Sequence, residues 1–391
     1  MANIRMCRLK HIARMAAAVG ILTLPCYGGT IYSVTNLGNL GGADITATGI
    51  NSLGQVSGYG LTATGDYHAF LWGAGVMTDL GVSVMNFASQ AMAINSSGQV
   101  AGTQSGNAGS QAGTWSAGAY TPLGGTATSA NAINDVGQTA GMFITSNSQG
   151  HAFRSTSGVV QDLGTIGGGT WSSAYGINRS STVVGYGMTA SGSFRAFVAP
   201  AAGGISALGT LGGSNSYGMS INNNGLAVGS ATNGAGYLHA AEWNTSLSNP
   251  SAIDLGTLGG SNSSAYGINS SGQIVGYSYL ANSPDSHAFL YSGGIMYDLN
   301  NMLNPAAAGW ELLNAYGIND RGQIVGTGII NGQTDAFVLT PQLSLGAPAP
   351  TGASSTPEPD SIVFAALGMV FIAGCKLLNR LKPVAIVQPM E

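Results

Sequence analysis

The sequence predicts an all-β protein: a seven-bladed β-propeller whose four-stranded blades repeat one another. Three observations carry this. The phrase "SAYGINSSGQIVGY" (264–277) returns almost unchanged as "NAYGINDRGQIVGT" (314–327) and "TATGINSLGQVSGY" (46–59). Ile-Asn pairs begin at Ile50, Ile94, Ile133, Ile177, Ile221, Ile268 and Ile318, at intervals of 44, 39, 44, 44, 47 and 50 residues. That interval suits four short strands per unit, the content of a propeller blade. Finally, one unit is divided between the two ends of the repeat region, which suits a closed ring. An open β-solenoid is the alternative, although open stacks call for atypical caps at both ends.

Each unit reads as two hairpins. "AYGIN" and "QIVGYSY" flank Ser270-Ser271-Gly272, where Asn269 can cap its own backbone and Gly272 can take positive φ. "HAFLY" and "GIMYDL" flank a second glycine turn. The strands are almost continuously apolar or small, as expected for sheets covered on both faces. Most copies keep Asn-x-x-Gly-Gln after the isoleucine. "INRSSTVVG" (177–185) and "INNNGLAVG" (221–229) bend the pattern but keep its length.

A second phrase follows each Ile-Asn pair: "HAFLW" (68–72), "AGTWS" (112–116), "HAFRS" (151–155), "RAFVA" (195–199), "HAAEW" (239–243), "HAFLY" (287–291) and "DAFVL" (335–339). A third, typified by Asp79-Leu80-Gly81, follows six of them. After "DAFVL" it is missing, and an orphan copy, "YSVTNLG" (32–38), stands before the first Ile-Asn pair. The N-terminal strand is therefore expected to complete the last blade beside Phe337. These phrases resemble the HAF family of extracellular repeats over about 310 residues. The resemblance implies a surface or secreted setting and brings no assigned activity.

The two ends read as address signals. Arg5, Arg8, Lys10 and Arg14 precede the apolar run "MAAAVGILTLP" (15–25) and the small residues "CYGGT", the layout of a secretory signal peptide over 1–29 with cleavage near Gly28 or Gly29. Eleven apolar residues are too few for a membrane anchor. Cys26 would suit lipoprotein processing, but Pro25 before it does not. The repeats occupy 30–341, and a Pro/Ser/Gly-rich linker follows over 342–360. An apolar stretch with basic residues Lys376, Arg380 and Lys382 spans 361–382, and a short tail fills 383–391. As a helix, the uncharged part from Ser361 to Cys375 would be about 22 Å long, a marginal membrane span. Pro357-Glu358-Pro359, the apolar helix and the bases resemble the PEP-CTERM sorting signal of Gram-negative bacteria. That resemblance implies an exosortase-type membrane protease as partner, processing near Pro357–Pro359, and transit across the inner membrane to the cell envelope, surface or exterior.

Composition narrows the function. Between Tyr32 and Thr340 twelve carboxylates face four arginines and no lysine, a formal charge of −8. Nucleic-acid binding needs clustered cations, so that class is excluded. Cys7, Cys26 and Cys375 all lie outside the repeats, leaving no disulfide, thiol nucleophile or thiolate metal site in the body. Its histidines, His68, His151, His239 and His287, occupy one slot of different repeats. Such repetition points to architecture, such as a bond to a loop or to the repeated aspartate. No calcium loop, zinc motif or phosphate loop is present. Catalytic residues, metal and cofactor are accordingly expected to be none.

Two functions remain. The first is a secreted, monomeric, non-enzymatic protein that binds an extracellular polysaccharide or matrix component, with Tyr59, Trp171, Tyr277 and Trp310 available for sugar stacking. The second is a propeller-based polysaccharide hydrolase. It would need carboxylates about 5–10 Å apart, and Glu242 and Glu311, the body's only glutamates, would have to meet at the central channel.

Overall fold

The computed structural model describes residues 30–82 and 86–342. The signal peptide with Gly28 and Gly29, the motif Pro357-Glu358-Pro359, and the apolar stretch with Lys376, Arg380 and Lys382 lie outside the described residues. Among those described, no helix is long and apolar enough to cross a membrane. Apart from the 3₁₀ segments Leu299–Met302 and Pro305–Ala307, the elements are strands.

Each unit folds as an antiparallel meander. In the sixth, Gly259–Ile268, Ile274–Leu280, Ser286–Ser292 and Ile295–Asp298 pair in sequence order. The first strand lines a central channel and ends in the Ile-Asn pair. The third carries the His-Ala-Phe phrase, and the outermost leads into Asp-Leu-Gly. The Asn269 turn is as expected: Asn269 Oδ1 accepts from Gln273 N at 2.9 Å, and Gly272 has φ +80°.

The units close into a ring. Ile31–Asn36 pairs antiparallel with Gln333–Gln342, setting Val34 opposite Leu339 and Asn36 opposite Phe337. Apolar clusters are shared between successive units, and one joins Leu37 and Ile45 to Val325, Ala336 and Val338, bringing the last unit to the first. An open solenoid is excluded by this closure.

The expectation of seven separate blades needs correction. Among the described residues, five four-stranded sheets stand alone, while units three and four share one eight-stranded sheet. Its seam is a parallel bridge between Gly150 and Trp171. The cause lies two residues before the alanine of each His-Ala-Phe phrase. Other units place Tyr67, Ser110, Phe194, Leu238, Ser286 or Thr334 there, whereas unit three has Gly150. A Cβ at Gly150 would stand 2.8 Å from the Trp171 ring, so only the bare backbone can approach that strand. Arg154 tightens the same seam. Its buried guanidinium donates to the carbonyls of Ser181 at 2.7 Å and Ala201 at 2.9 Å, across the boundary in unit four.

At the hub, the seven asparagines of the Ile-Asn pairs form a closed hydrogen-bonded circle. Asn51 Nδ2 donates to the carbonyl of Asn95, Asn95 to Asn134, Asn134 to Asn178, and Asn178 to Asn222. Asn222 donates to Asn269, Asn269 to Asn319, and Asn319 back to Asn51, all at 2.9–3.2 Å when taken with the preceding four. Five of the seven, Asn51, Asn95, Asn134, Asn269 and Asn319, also donate to the glutamine four residues on, a bond that Asn178 and Asn222 lack because Thr182 and Leu226 stand there. Asn51 also donates to Gln55 Oε1 and accepts from the N–H groups of Leu53 and Gln55, so both donors and both lone pairs are spent. Aspartate at this slot would lack the donor, and serine would be too short to reach.

A second constraint sits two residues before each isoleucine. Ala265 pairs with Gly276 and Gly267 with Val275, so Tyr266 is an extra, bulged residue. The same shift occurs at Thr48, Met92, Asn131, Tyr175, Met219 and Tyr316. Bulges bend a strand and re-aim a side chain. Here the neighbouring backbones come so close that a Cβ on Gly276 would lie 1.9 Å from the Ser264 carbonyl oxygen. Only glycine fits, which explains the glycine after each "QIV"-type run.

Removing residues 31–36 should destabilise the whole ring. The deletion discards Tyr32, which is 1% exposed, and leaves Gln333–Gln342 as a bare edge. Chemical denaturation should show a loss of about 3 kcal/mol or more, with aggregation. Unfolding indistinguishable from the intact chain would contradict closure by this strand.

Candidate functional site

Three cavities stack along the channel. The bulged residues line the first, together with Thr46 and Tyr59, enclosing about 240 Å³. The second, about 320 Å³, shares the bulged residues and reaches the seven isoleucines. The third, about 300 Å³, shares those isoleucines and opens at the asparagine circle. The channel thus has a tyrosine mouth, an isoleucine collar and a polar mouth.

The two mouths differ in chemistry. At the polar mouth, Asp135 and Asp320 accept the backbone N–H groups of Ser96 at 3.0 Å and Ser270 at 2.9 Å, each tying one unit to its neighbour. Asn223 does the same for Arg179 N at 2.8 Å. The exposed Arg179 side chain also lines this mouth. The tyrosine mouth carries no charged side chain. Tyr266 and Tyr316 come from adjacent units, with ring centroids 5.2 Å apart. Tyr277 lies 5.7 Å from Tyr266. Burial raises the pKa of both Tyr266 and Tyr316, so they stand as neutral phenols. Asn131 donates Nδ2 to the Ala174 carbonyl at 2.8 Å, and Thr48 donates to the Ala91 carbonyl at 2.9 Å.

The sequence-selected residues scatter among structural roles. Tyr59 lines the tyrosine mouth, and Tyr277 backs Tyr266. Trp171 packs on Tyr186 and Phe194, and Trp310 packs on Phe337 within the last unit's core. Glu242 and Glu311 do not line the channel cavities. Glu242 sits half-buried opposite Val228 and Ile253, while Glu311 is exposed opposite Ile329. The bulged residues escaped the sequence reading. The available signal was variation: one slot takes Thr, Met, Asn or Tyr inside an otherwise constant phrase.

The histidines do architectural work. His68, His151, His239 and His287 place Nδ1 at 2.8–3.0 Å from Asp79, Asp162, Asp254 and Asp298 on the adjacent outer strand. The first three aspartates also accept the N–H of the glycine two residues on, fixing the Asp-Leu-Gly turn. Part-exposed pairs of this kind contribute about 0–1 kcal/mol each. In unit four Arg195 takes the histidine slot, facing a strand that ends in Ala207, and its Nη1 is buried without a partner among the described residues.

No family model matches the chain, and no curated protein matches it. Solved structures do. A protein described as a TolB from Agrobacterium tumefaciens is 13% identical, with a TM-score of 0.42, covering 80% of this chain and 98% of its own. The gluconolactonase XC5397 from Xanthomonas campestris is 8% identical, with a TM-score of 0.41, covering 80% and 90%. The lectin BP39L from Burkholderia pseudomallei is 9% identical, with a TM-score of 0.37, covering 79% and 98%. The chain is an all-β, propeller-type arrangement of small antiparallel sheets.

Glu242 offers a pH test of its structural role. Burial raises its carboxyl pKa, and no described residue donates a hydrogen bond to it. A raised folded-state value favours folding where the group is protonated, and that advantage is lost as pH rises past the ordinary glutamate range. Glu242→Gln should therefore raise the melting temperature by roughly 1–2 °C at neutral pH. The difference should vanish near about pH 4. A destabilised variant at neutral pH would instead give the carboxylate a favourable partner.

Proposed function

We propose that this is an exported, non-enzymatic surface or matrix protein that binds an extracellular glycan at the tyrosine mouth of its channel. The carrying observation is the bulge in each channel-lining strand, which turns Tyr175, Tyr266 and Tyr316 toward one axial cavity beside Tyr59. Aromatic faces with a few polar groups between them suit sugar rings, which present an apolar C–H face and a rim of hydroxyls. A hydrolase reading would want Glu242 and Glu311 in the channel, and they lie elsewhere; the carboxylates of the polar mouth, Asp135 and Asp320, are engaged by the backbone N–H groups of Ser96 and Ser270. The HAF-like phrases and the Pro357-Glu358-Pro359 signal support delivery to the envelope by an exosortase-type system.

Incubating the purified protein with immobilised polysaccharides, and reading both retention and released reducing ends, tests this directly. Retention without cleavage is expected, and Tyr266→Ala should weaken it about tenfold. Release of reducing ends would establish the hydrolase instead.

A further inference from the structure

Resting on the glycan reading, we infer that the tyrosine mouth holds the free end of an uncharged glycan chain, entered end-on along the axis. Its uncharged wall, its mixture of rings and polar groups, and its floor together carry this.

The nine side chains lining the mouth include no charge of either sign. A uronate or sulfate entering would lose water and find no cation, a cost that a neutral sugar avoids. The wall also has two characters. Units six, seven, one and four supply the rings of Tyr266, Tyr316, Tyr59 and Tyr175, and units two and five supply Met92 and Met219. Units one and three supply Thr46, Thr48 and Asn131. Asn131 spends Nδ2 on the Ala174 carbonyl, which leaves Oδ1 to accept from a sugar hydroxyl. Rings that stack and polar groups that orient thus share one wall.

The floor decides between an end and an internal stretch. Below the mouth, Ile50, Ile94, Ile133, Ile177, Ile221, Ile268 and Ile318 form a collar, and the asparagine circle beyond it has its amides committed to the ring. A sugar held within the collar would shed hydroxyl hydrogen bonds against seven isoleucine side chains. A polymer threaded through the axis is therefore disfavoured. A chain lying across the face would leave the axial cavity empty, whereas a terminal sugar fills it and leaves its one glycosidic link pointing to solvent.

The test is calorimetric titration of the full chain with linear neutral glucans, mannans and galactans of increasing length, with a polyuronate for comparison. End-on capture predicts one protein per polysaccharide chain and an affinity per chain that stays constant with length. Tyr266→Ala and Tyr316→Ala should weaken binding about tenfold, whereas Tyr266→Phe, which keeps the ring, should retain most of it. Arg179→Ala, at the opposite mouth, should leave it unchanged. Thermal melts of each variant separate lost binding from lost folding. Protein bound in proportion to chain length would overturn end-on capture while leaving glycan binding intact. Equal affinity for the polyuronate would overturn the neutral class, and loss of binding in Arg179→Ala would move the site to the other mouth. Absence of binding to every neutral glycan would overturn this inference and the proposed function together.

Discussion

A side-chain amide that must reach the next unit's carbonyl sets the geometry of this ring. Each hub asparagine holds its own turn through Oδ1 and its neighbour through Nδ2, so local and tertiary structure depend on one amide, which at Asn51 makes four hydrogen bonds. Buried amides left unpaired are costly, and a circle leaves none unpaired only if it closes. Asn319 completes it on Asn51 across 268 positions of sequence. The Ile-Asn slot therefore does not drift even where the phrase around it does, as in "INRSSTVVG". There Ser181 takes the glycine position at φ +62°, while Asn178 still donates to Asn222.

Farther from the hub, the units tolerate compensation. The phenylalanine slot is filled by Phe70, Phe153, Phe197, Phe289 and Phe337, all without exposure. Unit two has Gly113 there, and the Tyr120 ring from the outer strand occupies the space, 2.4 Å from where a Cβ would be. The closing unit inverts the His–Asp pair. Asp335 stands in the histidine slot, and Asn36, on the N-terminal strand, stands in the aspartate slot and donates to it at 2.8 Å. Asn36 also accepts Gly38 N, reproducing the Asp-Leu-Gly turn. A strand from the far end of the chain thus meets the same stereochemical demand as the local ones.

How much of this the sequence disclosed follows from where the information resides. The period, the four strands, the capped turn and the split unit are repetitive features, and repetition is visible without coordinates. The His–Asp pairs belong to the same class, since both partners recur in step. The merger of units three and four was hidden because it hangs on one absent side chain, Gly150, whose meaning depends on Trp171 across the boundary. The asparagine circle was half visible: the turn cap is local, whereas the bond to the next unit spans 39–50 residues even between neighbours in sequence. The tyrosine mouth was missed for a related reason. A bulge breaks the two-residue alternation of a strand, so facing cannot be counted from sequence there; of the aromatics the sequence offers for stacking, Tyr59 lines the mouth and Tyr277 lies beside Tyr266, while Trp171 and Trp310 pack elsewhere.

The central claim is that the asparagines act as a closed circle, with no weak end. Replacing each by alanine in turn, and measuring stability by denaturant unfolding, tests it most directly. A closed circle predicts a similar loss, roughly 2–4 kcal/mol, at the five positions whose asparagine also holds a glutamine. Asn319, whose partner lies at the other end of the repeat region, should cost as much as Asn134 in the middle. A near-neutral Asn319→Ala beside a costly Asn134→Ala would show that the ring is open at its seam, and would contradict the account.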